Sequence, residues 1–258
     1  LEYFKDLKGV FKEKYSLINS LDQPAIAVLN ADDNFLRKKV LEKRRSPFVL
    51  GVGLKNKSDF FAYGINNTSG RFSFEVNQRF RFALNLLGYY NIYNSLLAIA
   101  VGRIFGLEYR DIAASLSGFV SPKGRLSLIE IKGIRFIDDT YNANPLSMEQ
   151  ALGALASFPK GGRKILVMGD MLELGKVGAS LHLKAITNAL KFCDALITVG
   201  EQTRSCLDKV TRFKKSIIAC ETPSQARVAL FKKIGVKTGD IVLVKGSRGM
   251  KMEEVFKI

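Results

Sequence analysis

Eight consecutive residues carry more potential chemistry than any other stretch of this 258-residue chain: Asp138-Asp139-Thr140-Tyr141-Asn142-Ala143-Asn144-Pro145. Two carboxylates, a phenol and two amides follow a short apolar run, Ile134 to Ile137, that reads as a strand. A helical run from Met148 to Phe158 comes next, and Pro145 and Ser147 suit its first turn. Strand ends and the loops after them are where α/β proteins place reactive groups. On a continuing strand, Asp138 and Asp139 point to opposite faces, so one of them at most enters a given site directly. A carboxylate here suits two tasks: holding a hydroxyl, or holding a metal-bound water beside a nucleotide. An Asp/Asn-rich solvated turn has the same composition.

A second cluster is Lys245-Gly246-Ser247-Arg248-Gly249, after an apolar run at Ile241 to Val244. Backbone N–H groups, a hydroxyl and a guanidinium fork between glycines make an anion receptor, and a basic turn is the plainer reading. A third is Asn91 and Asn94, three apart on one helix face, with Asn91 also a candidate N-cap. Gly169-Asp170-Met171-Leu172-Glu173-Leu174-Gly175 follows another apolar run. His182, the single histidine, lies in the helix beyond it, where a structural role is expected.

These clusters need elements to hold them. The amino-terminal half reads as a helix (7–18), a strand (25–29), a helix (34–43), strands at 48–53, 60–64, 69–76 and 80–84, then helices at 91–105 and 108–117. Strict alternation in Arg71 to Val76 gives that strand one wet face. After the octet, strands at 164–168, 195–199, 216–219 and 241–244 alternate with helices at 180–192, 202–210 and 224–233. That alternation is the pattern of a doubly wound α/β domain. A boundary near Pro145 divides the chain into 1–144 and 145–258.

Apolar residues make up 47% and charged residues 25% of the chain, a globular balance. Leu96 to Val101, the longest apolar run, is far short of a membrane span. The net charge of +16 comes from 40 basic and 24 acidic residues. The basic residues are scattered, as in Arg37 to Lys39, Lys43 to Arg45 and Lys232 to Lys233, without interleaved aromatics. They give no nucleic-acid motif, and anionic small molecules fit the charge as well. Three cysteines without metal-ligand spacing suit a reduced, cytoplasmic protein.

The octet closely resembles the Asp-Asp-x-Tyr-Asn-Ala-Asn-Pro signature of the Mur ligase family. Further matches run in order along the chain. Leu29 to Asp33 resembles Leu-Asn-x-Asp-Asp, and Gly88 to Ala98 resembles Gly-x-His-Asn-x-x-Asn-x-Leu-Ala-Ala, with Tyr90 in place of the histidine. The Gly169 to Gly175 segment matches the type that adds D-alanyl-D-alanine to a UDP-N-acetylmuramoyl-tripeptide.

The resemblance implies the remainder of a P-loop-type central domain followed by a Rossmann-like C-terminal domain, with ATP and Mg2+ as cofactors. It also implies a monomeric cytoplasmic enzyme of peptidoglycan and cell-wall synthesis. It places Lys14, which can be carbamylated in relatives, at a metal. It places Asn91, Asn94, Asp139, Tyr141 and Asn142 at the nucleotide, with Arg125 facing the γ-phosphate. Asn144, Asp170, Lys245, Ser247 and Arg248 fall to the incoming dipeptide. No G-x-x-x-x-G-K-[ST] phosphate loop occurs in the sequence, so an amino-terminally truncated enzyme, inactive alone, is expected. Rival expectations are a relative adding a single amino acid, a folate polyglutamylating enzyme, a non-catalytic binding module and, on charge alone, a nucleic-acid binder.

Overall fold

The computed structural model describes residues 6–42, 47–78, 80–159, 161–211 and 213–257. The basic trio Lys43 to Arg45 and the chain start at Leu1 to Phe4 lie outside these residues. Two compact units are present, Leu1–Phe119 and Val120–Ile258.

Unit 1 opens with α1 (Leu7–Asn19), capped by the Asp6 carboxylate, which accepts from Gly9 N. It continues through β1 (Ile26–Asn30), α2 (Leu36–Leu41), β2 (Phe48–Gly53), β3 (Phe60–Thr68), β4 (Arg71–Val76) and β5 (Phe80–Leu87) to α3 (Tyr90–Ile104) and α4 (Tyr109–Gly118). The five strands lie in sequence order. β1, β2 and β3 run parallel, while β3, β4 and β5 form an antiparallel meander. The alternation read in Arg71 to Val76 is observed: Phe72, Phe74 and Val76 are buried and the residues between them are not. Phe74 stacks on Phe82, and both pack with Ile92, Leu96 and Ile99 of α3. Burying each such side chain contributes about 1.5–3 kcal/mol.

Unit 2 contains β6 (Ser127–Ile131), β7 (Ile134–Asp139), α5 (Pro145–Ser157), β8 (Lys164–Gly169), α6 (Gly178–Phe192), β9 (Ala195–Val199), α7 (Glu201–Arg204), β10 (Ser216–Cys220), α8 (Pro223–Val228) and β11 (Ile241–Lys245). The sheet order is β10-β9-β8-β11-β7-β6, parallel throughout except for β6. β11 is buried at every position, as a central parallel strand must be. The chain steps from β7 to β8 and leaves a gap that β11 fills last. The crevice at such a switch in strand order is where open α/β sheets bind ligands.

The expected boundary at 144/145 falls inside unit 2. The reason is the hairpin of β6 and β7, which hydrogen-bonds to β11 and so belongs to the second sheet. α5 begins as its sequence suggests, with Pro145 in the first turn. Asn144 accepts from Ser147 N at 2.8 Å, and Ser147 Oγ accepts from Asn144 N at 3.0 Å, a reciprocal cap. Cys193, Cys206 and Cys220 are free and buried, and burial pushes the Cys193 thiol up to about 12.

At the amino ends of β8 and β11, the buried Asp240 carboxylate accepts from Arg163 N, Nε and Nη2 at 3.0, 3.3 and 2.7 Å, and from Lys237 N at 3.0 Å. Burial works to raise the Asp240 pKa, but the Arg163 and backbone bonds outweigh it and hold it below the usual carboxylate value. A depressed folded-state pKa adds stability above the unfolded value, lost as pH falls through the folded one. Asp240→Asn is therefore expected to cost about 1.5–3 kcal/mol at pH 7. Its deficit relative to the parent should shrink below about pH 4 in denaturant titrations. A deficit unchanged down to pH 2 would show that charge is not the cause.

Candidate active site

The candidate site in unit 2 is built on the carboxyl ends of β7, β8 and β11. Pairing puts Lys245, the last residue of β11, opposite Asp139, the last of β7. The Lys245 ammonium, 1% exposed, donates to Asp139 Oδ2 at 2.5 Å and to the Asn142 carbonyl at 2.9 Å. Burial pushes the Asp139 carboxyl up, against the pull of Lys245. Burial likewise pushes the ammonium down, against the pull of Asp139. Asp139 Oδ1 accepts from Leu126 N at 3.1 Å. Asp138 turns the other way, as strand geometry requires. It accepts from Gly124 N at 3.0 Å, Thr140 N at 3.2 Å and Thr140 Oγ1 at 2.7 Å.

Two more residues tie the loops together. Ser247 Oγ accepts from Leu172 N at 2.8 Å and donates to the Ala143 carbonyl at 3.3 Å, joining the loops after β7, β8 and β11. The Asp170 carboxylate accepts from Gln202 N at 3.0 Å and Thr203 N at 2.8 Å, at the start of α7. His182 is 1% exposed. Its Nε2 accepts from Met171 N at 2.8 Å, so Nδ1 carries the proton and donates to the Gly178 carbonyl at 2.7 Å. That is the structural role expected for it.

The side chains assigned to ligands therefore divide into two groups. Asp170, Lys245, Ser247 and Asn144 are committed to partners within unit 2. Lys245 in particular faces Asp139, because a buried ammonium requires a counter-charge. Arg125, Tyr141, Asn142 and Arg248 are exposed. The Arg125 guanidinium lies 4.0 Å above the Tyr141 ring centre, leaving its edge donors open. Arg248 Nη1 is 3.3 Å from Glu253 Oε1 in a solvent-exposed pair, a weak tie that leaves the fork able to turn. Gly124 was not singled out in the sequence, and the bonds it and Thr140 make to Asp138 were not legible there, since they depend on a loop that folds back over the strand.

In unit 1, Asn91 and Asn94 do meet. Asn94 Nδ2 donates to Asn91 Oδ1 at 3.0 Å, and Asn91 Nδ2 donates to the Leu87 carbonyl at 2.7 Å. α3 starts one residue before Asn91 and shows no side-chain cap, so Asn91 is not the N-cap expected of it. Asn94 is exposed and free to present its carbonyl oxygen. The Asp32 carboxylate accepts from Leu54, Lys55 and Asn56 N–H groups at 2.6, 3.0 and 2.7 Å, and from Tyr93 OH at 2.9 Å. Burial would raise the Asp32 pKa, but these donors hold it below the usual value. Burial and Asp32 together push the Tyr93 phenol up. Lys14 is exposed, while Tyr15 is the buried residue of α1. Among the described residues no three His, Cys, Asp or Glu side chains converge as a metal-ligating group.

Comparison with known proteins fits this division. The Mur ligase middle domain matches residues 1–102, and the Mur ligase, glutamate ligase domain matches 124–248. A UDP-N-acetylmuramoyl-tripeptide–D-alanyl-D-alanine ligase of Escherichia coli (strain K12) is 33% identical over 264 residues, covering 100% of this chain and 57% of the relative. The ligase of that name from Bacillus subtilis (strain 168) is 30% identical over 254 residues, covering 97% and 54%. A crystal structure of MurF ligase from Thermotoga maritima in complex with ADP superposes with a TM-score of 0.83 at 27% identity, over 100% of this chain and 58% of that one. The chain thus spans little more than half the length of these relatives. The two domain matches lie in order on the two units, with similarity running through both, and the chain belongs to the Mur ligase family.

Proposed function

We propose that this chain supplies the nucleotide-facing and dipeptide-presenting parts of an ATP-dependent ligase. The ligase joins D-alanyl-D-alanine to UDP-N-acetylmuramoyl-tripeptide in cytoplasmic peptidoglycan synthesis. The observation that carries this reading is the pair of exposed guanidinium groups, Arg125 and Arg248, on loops tied together at the carboxyl ends of β7, β8 and β11. One fork suits a phosphate and the other a carboxylate. The names of the relatives, and the ADP complexed with the Thermotoga maritima MurF ligase, support the same assignment.

In this reading the γ-phosphoryl group passes from ATP to the terminal carboxylate of the tripeptide, giving an acyl phosphate and ADP. Arg125 stabilises charge on the transferring group. Arg248 holds the free carboxylate of the dipeptide, so that the amine at its other end faces the acyl carbon. Attack forms the amide, phosphate leaves, and the amine loses a proton. Asn91, Asn94, Asp139, Tyr141 and Asn142 remain proposed nucleotide neighbours. Mg2+, with Lys14 near it, is proposed from the family alone. Among the described residues no helix is long and apolar enough to cross a membrane.

The test is phosphate release by the full-length ligase supplied with ATP. Release should require tripeptide and dipeptide together. Equal release with either one omitted would remove the reading.

A further inference from the structure

Arg125 sits in an unusually constrained stretch of backbone. Its own N–H donates to the Pro122 carbonyl at 3.2 Å, and its carbonyl accepts from the Ser121 hydroxyl. The residues on either side are both left-handed, Gly124 at φ +76 and Leu126 at φ +51. Glycine is needed at 124 on two counts, since a Cβ there would also lie 2.9 Å from Tyr141 N. Leu126 bears the left-handed conformation without that freedom, and it is 2% exposed. Such a backbone persists only where its surroundings over-determine it.

The surroundings are the two aspartates. Although they leave opposite faces of β7, the loop crosses the strand end, and each meets the N–H of one neighbour of Arg125. Gly124 N donates to Asp138, and Leu126 N donates to Asp139. The Gly124 carbonyl accepts from Tyr141 N at 3.0 Å, which brings the loop against the residue whose ring the guanidinium covers. Lys245 already serves Asp139. The Asp138 carboxylate accepts from Gly124 in this loop and from Thr140 in the octet.

We infer that Asp138 is a positioning residue acting through Arg125. With Thr140 it fixes the left-handed turn that aims the guanidinium, and it touches no substrate itself. The inference rests on the ligase reading, in which Arg125 meets the transferring phosphoryl group.

The experiment is a double-mutant cycle in the full-length ligase, read as kcat for phosphate release. Asp138→Asn keeps the shape but lacks the charge and one of the two acceptor oxygens. It should lower kcat about tenfold or more while the KM for dipeptide changes less than about twofold. In an Arg125→Ala background the same substitution should change kcat by less than about twofold, because the group it positions is gone. Thr140→Val, a milder change that removes one donor to Asp138, should show the same non-additivity with a smaller loss. It serves if Asp138→Asn does not fold. Losses that multiply, with Arg125→Ala itself strongly impaired, overturn the inference and leave the ligase reading standing. Full activity in Arg125→Ala would overturn both.

Discussion

Lys245→Met is expected to destabilise unit 2 by about 3–5 kcal/mol, a larger loss than that expected of Asp240→Asn. The Lys245 side chain is 1% exposed and that of its partner Asp139 12% exposed. Removing one charge leaves the other buried without compensation, and the Asn142 carbonyl also loses its donor. The pair itself is worth much less than this, because its desolvation offsets most of its attraction. Lys245→Met combined with Asp139→Asn should therefore recover much of the loss, since the amide still accepts from Leu126 N and carries no charge. Urea unfolding of the three variants measures this. A single variant within about 1 kcal/mol of the parent, or a double variant worse than the single, would show that the ion pair does not hold the octet in place.

Arg248→Ala, in the full-length ligase, is expected to raise the KM for D-alanyl-D-alanine about tenfold or more, or about 1.4 kcal/mol and upward. The KM for ATP should barely move. The guanidinium is exposed, and among the described residues its ion pair is the long one with Glu253, so turning it to a ligand carboxylate costs little. Two charge-assisted bonds from one planar fork explain the size of the effect. Arg248→Lys should recover part of it, because an ammonium cannot make two parallel bonds. Steady-state kinetics with each substrate varied in turn decide the matter. An ATP KM that rises as much as the dipeptide KM would move Arg248 to the nucleotide.

What the sequence made legible was local. Period-two and period-3.6 patterns located the strands and helices, and Pro145 and Ser147 marked the start of α5. The parallel sheet followed from strand–helix alternation. What it hid was non-local. The place of β6 and β7 in the second sheet depends on β11, and Lys245 meets Asp139 across 106 residues of sequence. Residue type alone does not tell a polar group that binds a ligand from one that satisfies a neighbour. Asp170 holds the start of α7, Ser247 joins three loops, and Asn144 caps α5, all chemistry equally suited to substrate. Arg125 and Arg248 stay available because guanidinium groups on exposed loops face no desolvation that would demand a partner.

The most direct measurement is a competition for the acyl phosphate. Full-length ligase, ATP and UDP-N-acetylmuramoyl-tripeptide would be incubated with D-alanyl-D-alanine and single amino acids at equal concentration, and the amide products identified by mass. The expected product is the tripeptide extended by both alanines, formed with ADP and phosphate in equal amounts. A product extended by one amino acid, or extension without ATP consumption, would contradict the assignment.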